Sequence, residues 1–303
     1  MLSHSAVLYL ATVLIWGSTF FAIRFQLGSV PETVSIGWRF ALATLMLMGW
    51  CLWKGVPLRF DRRAHGWIFL QGVFLFGLNY VLVYFATERL TSGLIAVLFS
   101  TIVFMNILNG ALFLRRRTTV AVLGGASMGL LGIALVFWPE LMHLEGRSEA
   151  LTGMLLGLGG TYIASLGNVI SARNQAAGLP VVQTNAWGMA YGALLTLGWA
   201  LLSGQPLRFE WTLPYVSSLV YLALFGSVLA FGAYLTLLGR IGADKAAYAM
   251  VLFPLVALGL STLFEGYQWT PESLAGMVLV VLGNVVMMAR PERLMFWRRR
   301  VAA

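Results

Sequence analysis

Apolar residues follow one another along this chain in long runs that are broken at intervals by glycine, proline and charged residues. A helix of about 20 apolar residues crosses the roughly 30 Å hydrocarbon core of a bilayer, because each residue adds about 1.5 Å. Turn chemistry such as Gly55 to Pro57 and Gly204 to Pro206 marks the breaks. The pattern predicts ten membrane-spanning helices, near residues 6–23, 34–53, 66–86, 92–114, 120–138, 151–171, 181–202, 213–237, 245–264 and 272–289.

The first half of the chain recurs in the second half. Residues 24–60 align with residues 173–209 without a gap, and 14 of the 37 positions are identical. The loop sequence Gly-x-Pro-Leu-Arg-Phe, for example, ends at Phe60 in one copy and at Phe209 in the other. Such a duplication in a membrane chain is typical of transporters built from two related halves around a midplane site. We expect a first five-helix repeat over residues 1–146 and a second over residues 147–303, which includes a basic C-terminal tail.

An odd number of spans in each repeat requires the second repeat to cross the membrane in the opposite orientation. Loop charges agree, since 15 of the 20 Lys and Arg residues fall on one predicted side and most acidic residues fall on the other. Positively charged loops remain in the cytoplasm. The sequence therefore predicts inverted repeats, a multi-pass protein and two cytoplasmic termini.

Composition and motifs exclude several other classes. Apolar residues make up 59% of the chain and charged residues 10%, far from the proportions of soluble domains. The net charge of +9 is spread over short loops, so it does not indicate a nucleic-acid partner. Cys51 is the single cysteine, which excludes an intrachain disulfide. We found no metal-ligand cluster, Ser/His/Asp pattern or phosphate-binding loop, and expect no cofactor, no metal and no enzyme activity.

The chain resembles the ten-helix EamA-type exporters of the drug/metabolite transporter superfamily. The residues that carry the resemblance are Trp16-Gly17-Ser18-Thr19-Phe20, Arg39-Phe40, Pro254, Glu265, Gly276 and Gly283. It implies an all-α integral membrane fold in a bacterial cytoplasmic (inner) membrane, with spans 1–4 and 6–9 around a central cavity and spans 5 and 10 at the periphery. The YddG-type exporters of aromatic amino acids are similar. The first repeat differs from the second at two of these positions. Val103 aligns with Pro254, and Leu114 aligns with Glu265.

The resemblance implies an alternating-access carrier that exports small metabolites, and our interpretation is amino acids, in particular aromatic or hydrophobic ones. The alternatives are a carrier for drugs, cationic toxins or organic anions, an intramembrane enzyme acting on lipid-linked substrates, and a membrane sensor. The expected partners are a small-molecule substrate and the lipid bilayer. The expected assembly is a monomer or a weak homodimer.

Polar and aromatic side chains within the predicted spans are the candidates for lining the cavity. Arg39 is the one basic residue well inside a span, where it either anchors a substrate carboxylate or reaches back to the interface. The other candidates either contact substrate or pack between helices. The full set is Trp16, Ser18, Thr19, Trp38, Arg39, Asn79, Tyr80, Tyr84, Ser100, Thr101, Tyr162, Asn168, Trp187, Tyr234 and Tyr248.

Two further residues are candidates for roles in the transport cycle, one as a hinge and one in proton coupling. Pro254 lies deep in a span, where it removes a backbone hydrogen bond and forms either a hinge or a static kink. Glu265 lies at a span end, where it either couples transport to protons or acts as an interfacial carboxylate.

Overall fold

The computed structural model describes residues 4–114, 120–142, 147–234 and 249–288, and all regular secondary structure within these ranges is helical. A short helix, Trp138–Met142, follows the fifth of the main helices. We number the main helices in chain order as α1 (His4–Arg24), α2 (Glu32–Trp53), α3 (Arg62–Thr87), α4 (Ser92–Ser100 and Ile102–Leu114), α5 (Val120–Val136), α6 (Arg147–Ala176), α7 (Val181–Leu202), α8 (Leu213–Tyr234), α9 (Ala249–Phe264) and α10 (Pro271–Met288).

The described helices are those of a multi-pass membrane protein. Six are long and apolar enough to cross a bilayer, and three shorter apolar helices lie within α5, α9 and α10. The remaining helix, α7, buries the polar residues Gln183, Thr184 and Asn185 near its start. The predicted all-helical membrane fold is confirmed. The number of ten crossings stays a prediction, because residues 235–248, where the eighth predicted span ends and the ninth begins, lie outside the described residues.

The two copies of the repeat end their second helix in the same way. In the first copy, the N–H of Val56 donates to the Cys51 carbonyl and Gly55 adopts a positive φ of 66°. In the second copy, Gln205 donates to Ala200 and Gly204 has a φ of 72°. This is the Schellman C-cap, which favours glycine because the left-handed conformation crowds any Cβ.

Each Gly-x-Pro-Leu-Arg-Phe loop is bound by a tryptophan of the other repeat. Trp38 of α2 donates its Nε1–H to the Arg208 carbonyl at 3.1 Å, and Trp187 of α7 donates to the Leu58 carbonyl at 2.9 Å. Trp38 and Trp187 are equivalent positions of the repeat. Because one loop contacts the beginning of α2 and the other follows its end, the two loops lie at opposite ends of the helix bundle. Such an exchange is expected when the repeats have opposite orientations.

Helices α5 and α10 pack against each other through glycines. A Cβ on Gly132 would lie 2.6 Å from the Gly276 carbonyl, and one on Gly283 would lie 2.5 Å from the Gly125 carbonyl. The two backbones therefore touch, as small residues allow between membrane helices. The repeat aligns Gly125 with Gly276 and Gly132 with Gly283, so the two contacts exchange under a two-fold operation.

Candidate functional site

A cavity lies at the centre of the bundle, between helices of both repeats. Its volume is about 100 Å³. That is room for several waters. The walls come from α1, α2, α3, α4, α6, α8 and α9, and the described residues of α5, α7 and α10 do not contribute. The lining residues are Trp16, Thr19, Phe20, Ile23, Arg39, Leu75, Asn79, Tyr80, Val83, Phe99, Ile102, Ala164, Asn168, Phe231, Met250 and Phe253.

Arg39 is the one charged residue among those that line the cavity, and it is 1% exposed. Its Nε–H donates to the Ser227 hydroxyl at 3.3 Å, and Nη2 lies 3.5 Å from the Tyr80 hydroxyl. The guanidinium carbon also lies 4.6 Å from the centre of the Tyr80 ring and 5.3 Å from that of Phe40. The aromatic faces attract the cation, but they do not neutralise it.

The Arg39 guanidinium has no carboxylate partner among the described residues, and its Nη1 has no hydrogen-bond partner there. The Tyr84 hydroxyl lies beside the guanidinium without meeting the geometry of a hydrogen bond. A buried charge without a counter-ion costs several kcal/mol. Arginine also presents a planar fork of donors that matches a carboxylate. The cavity is therefore electrostatically complementary to an anionic group.

A π-helical segment of α8, Leu222–Leu229, positions both Arg39 and Trp16. Within this segment, the Gly226 carbonyl accepts the Trp16 indole N–H at 3.3 Å, and the Ser227 hydroxyl accepts the Nε–H of Arg39. Gly226 is required for this approach, because a Cβ there would lie 2.7 Å from Thr19 Cγ2 and 3.3 Å from Arg39 Nη2. π-helical segments of this kind are frequent at functional sites.

A second π-helical segment, Gly72–Leu78 in α3, precedes the polar residues of α3 that line the cavity. Asn79 follows it directly and donates its Nδ2–H to the Leu75 carbonyl at 3.0 Å. Tyr80 comes next, and its ring packs edge-on against Phe40 at 4.8 Å. The two π-helical segments occupy related places in the third helix of each repeat. Both repeats therefore have a π-helical segment next to the cavity.

The other end of the cavity is aromatic. Phe20 of α1 stacks on Phe253 of α9 at 5.7 Å between ring centres, and Phe99 of α4 lies 5.7 Å from Phe20. Trp16 packs against Phe231 and Tyr234 of α8 at 5.4 Å and 5.2 Å. The site thus joins one cationic, polar wall to an apolar aromatic compartment.

The structure brings together six of the sequence-predicted residues in the cavity wall: Trp16, Thr19, Arg39, Asn79, Tyr80 and Asn168. The Tyr234 ring packs against Trp16, and Tyr84 lies fully buried beside Arg39. Asn168 is held by a hydrogen bond to the Asn106 side chain at 3.2 Å. Tyr248 lies outside the described residues.

Other candidates are not among the described residues that line the central cavity. Trp38 and Trp187 bind the two repeated loops at the ends of the bundle. Ser18 instead links α1 to α8 through a 2.6 Å hydrogen bond with Tyr221. Tyr162 is 41% exposed on the outside of α6.

Ser100 and Thr101 are likewise not among the residues of the central cavity. Both hydroxyls donate back to carbonyls of their own helix, those of Val97 and Leu98. Thr101 interrupts α4 and lines a smaller hollow between α4, α5 and α10. Their polar groups are satisfied locally, as is common for Ser and Thr in membrane helices.

Pro254 lies inside α9, one residue after Phe253 of the aromatic compartment. Its missing N–H leaves the carbonyl of Met250, four residues earlier, without its usual helical donor. Met250 itself lines the cavity. The proline therefore weakens α9 beside the cavity wall, and its role as a hinge remains a prediction.

Glu265 lies at an end of the bundle and is not among the residues that line the cavity. It forms an ion pair with Arg24 Nε at 3.2 Å, and it accepts the Ser92 N–H at 3.0 Å and the Ser92 hydroxyl at 2.5 Å. Its side chain is only 5% exposed. The carboxylate caps the first turn of α4, which favours a structural role over proton coupling.

Sequence reasoning missed the apolar part of the lining, and it missed Ser227 and Gly226 beside Arg39. Phe20, Phe99 and Phe253 look like ordinary core residues in an apolar span. The motif Leu75-Phe76-Gly77, however, recurs as Leu224-Phe225-Gly226 at the same offset of 149 residues as the rest of the repeat. That recurrence falls within the two π-helical segments and was the available signal for Gly226.

Comparisons with known proteins agree with this architecture. The sequence pattern of one family, described as the EamA-like transporter family, matches residues 4–138 and again residues 151–289. The uncharacterized inner membrane transporter YedA of Escherichia coli K12 is 29% identical over 297 residues, which cover 93% of this chain and 92% of YedA. A probable amino-acid metabolite efflux pump from the same organism is 24% identical over 295 residues, or 93% and 94% of the two chains.

A solved crystal structure has a similar fold. Its TM-score is 0.68, and the match covers 94% of this chain and 97% of the other. The sequence identity is 17%, so the likeness concerns the fold alone.

Proposed function

The chain belongs to the EamA-like transporter family, and from this premise we propose that it exports hydrophobic and aromatic α-amino acids across the bacterial inner membrane. The observation that carries the proposal is Arg39, a buried guanidinium in the cavity wall with no carboxylate partner among the described residues. A substrate carboxylate supplies that partner when it binds. The name of the E. coli amino-acid metabolite efflux pump supports the same substrate class.

The aromatic compartment supports the choice of side chain. Phe20, Phe99 and Phe253 come from three helices and enclose an apolar space next to the polar wall. An aromatic or branched aliphatic side chain gains about 25 cal/mol for each Å² that leaves water. A molecule with a carboxylate at one end and an apolar group at the other therefore suits both parts of the cavity.

Transport follows from rocking of the two inverted repeats about the cavity, which exposes it to each side of the membrane in turn. Pro254 is suited to act as the hinge, because the helix around it lacks one backbone hydrogen bond. The cytoplasmic location of both chain ends belongs to this proposal and rests on the charge of the loops.

An organic anion without an amine is the second candidate. It is favoured by the charge of the cavity, because Arg39 is the one ionised side chain among the described residues that line it. Cationic drugs are disfavoured by the same charge. Chemistry on a lipid-linked substrate is disfavoured because the described residues that line the cavity include no histidine, cysteine or carboxylate to transfer protons.

Counterflow into proteoliposomes tests the proposal. Vesicles that contain purified protein and are loaded with unlabelled amino acid are expected to accumulate labelled L-phenylalanine. Arg39→Ala is expected to lower the rate on the order of tenfold or more, because a hydrogen-bonded ion pair with the substrate is lost. Arg208→Ala removes an exposed loop arginine and serves as the matched control. Absence of counterflow for every amino acid, with the protein still folded, contradicts the proposal.

A further inference from the structure

The amide oxygen of Asn79 is buried and has no hydrogen-bond partner among the described residues. The residue is 3% exposed and lines the cavity. Its Nδ2 donates to the Leu75 carbonyl, which can only accept, so the orientation of the amide is fixed. Its Oδ1 is therefore a buried acceptor, and it has no hydrogen-bond partner among the described residues. Leaving such a group unpaired costs free energy, so a hydrogen-bond donor that enters the cavity can stabilise it.

Asn79 and Arg39 both line the central cavity. Tyr80, the next residue in the chain, is in contact with the Arg39 guanidinium through both its ring and its hydroxyl. The cavity lining thus holds an unpartnered donor, Arg39 Nη1, and an unpartnered acceptor, Asn79 Oδ1. An α-amino acid presents the complementary pair, a carboxylate and an ammonium group on one carbon.

We propose that Asn79 Oδ1 accepts the α-ammonium group of the substrate and thereby selects α-amino acids over carboxylates that lack the amine. This inference rests on the proposed function, in which the carboxylate binds Arg39. A monoanion fills the site at Arg39 but leaves Asn79 Oδ1 unpaired. A free amine fills the site at Asn79 but meets the uncompensated charge of Arg39. Only the zwitterion satisfies both groups, and it adds no net charge to the cavity.

The test compares L-phenylalanine with 3-phenylpropionate, which has the same carboxylate and ring but no amine. Each compound competes against counterflow of labelled L-phenylalanine into proteoliposomes that contain the full-length protein. The wild type is expected to bind L-phenylalanine about tenfold more tightly, since a hydrogen bond from a charged group is involved. Asn79→Ala and the nearly isosteric Asn79→Leu are expected to remove this preference by weakening L-phenylalanine alone.

Asn284→Ala is the matched control, because Asn284 is also a buried asparagine but lies on α10, away from the central cavity. It is expected to keep the wild-type preference. Equal inhibition of the wild type by both compounds overturns the inference, and so does equal weakening of both compounds by the Asn79 substitutions. In those cases sensitivity to Arg39→Ala still supports the proposed function. If labelled L-phenylalanine does not move at all, the proposed function and this inference both fail.

Discussion

At the scale of single residues, Arg39 is a buried charge whose cost to stability the proposed substrate carboxylate explains. It is buried without a counter-ion among the described residues, although it contacts Ser227, Tyr80 and Phe40. Replacing a buried charge with an apolar side chain of similar size is often neutral or stabilising. A residue that only tied helices together would behave in the opposite way.

Arg39→Met is therefore expected to keep or raise the unfolding temperature of the purified protein while it abolishes counterflow. Thermal unfolding in detergent, followed by tryptophan fluorescence, measures the first effect, and proteoliposomes measure the second. A marked fall in unfolding temperature together with normal transport would show that Arg39 is a structural residue.

Gly226 allows the close approach between α8 and the Arg39 wall. In Gly226→Ala the new methyl group would meet Thr19 Cγ2 at 2.7 Å, so one of the helices must shift. The expected cost is about 1–3 kcal/mol in the free energy of unfolding, together with reduced transport. Gly49→Ala is the control, because its Cβ would have no neighbour within 4 Å. Equal effects of the two substitutions would contradict the role given to Gly226.

The sequence predicted part of the site, and the reasons for its success and failure are physical. Arg39 could be found because a charge inside an apolar span is costly and needs an explanation. For Trp38 and Trp187 the sequence left two roles open, because an indole at that depth is compatible with both a cavity and a loop contact. The Phe20, Phe99 and Phe253 compartment could not be found, since the pattern of one helix does not reveal which apolar face meets a void.

At the scale of helices, Glu265 joins three elements of the fold. It follows α9, pairs with Arg24 at the end of α1 and caps the first residues of α4. Its oxygens are occupied by these donors, which leaves no evident path for a proton to and from the cavity.

Glu265→Gln is accordingly expected to destabilise the protein by about 1–3 kcal/mol, because it loses a hydrogen-bonded ion pair. The pH dependence of counterflow should remain that of the wild type. Glu272→Gln, at the exposed start of α10, is the control for loss of a carboxylate. A shifted pH profile in Glu265→Gln alone would restore its role in proton coupling.

Helix boundaries followed closely from the sequence, but their internal irregularities did not. The Gly-Pro breaks predicted the ends of α2 and α7, because glycine in the left-handed conformation closes both helices. The π-helical segments of α3 and α8 leave the apolar pattern almost unchanged, so periodicity could not reveal them. They depend on contacts between helices, such as those of Gly226 with Thr19 and Arg39.

At the scale of the whole molecule, the exchange of tryptophan contacts and the glycine contacts of α5 and α10 both fit two repeats of opposite orientation. The arrangement requires the two Gly-x-Pro-Leu-Arg-Phe loops to face opposite sides of the membrane. The repeat and the charges of the loops were sufficient to predict this from the sequence.

Pro57 and Pro206 are equivalent, exposed positions of these loops, and they provide a direct test of orientation. In a Cys51→Ser background, Pro206→Cys is expected to react with a membrane-impermeant maleimide on intact cells. Pro57→Cys is expected to react only after the membrane is opened. Labelling of both positions on intact cells would be incompatible with inverted repeats.

The central claim is that an amino-acid carboxylate binds the uncompensated Arg39 in the cavity between the repeats. An experimental structure of the protein with bound L-phenylalanine tests it most directly. The account predicts the carboxylate within hydrogen-bond distance of Arg39 Nη1 and the ring among Phe20, Phe99 and Phe253. A ligand bound elsewhere, or an Arg39 paired with a carboxylate of the protein itself, would contradict it.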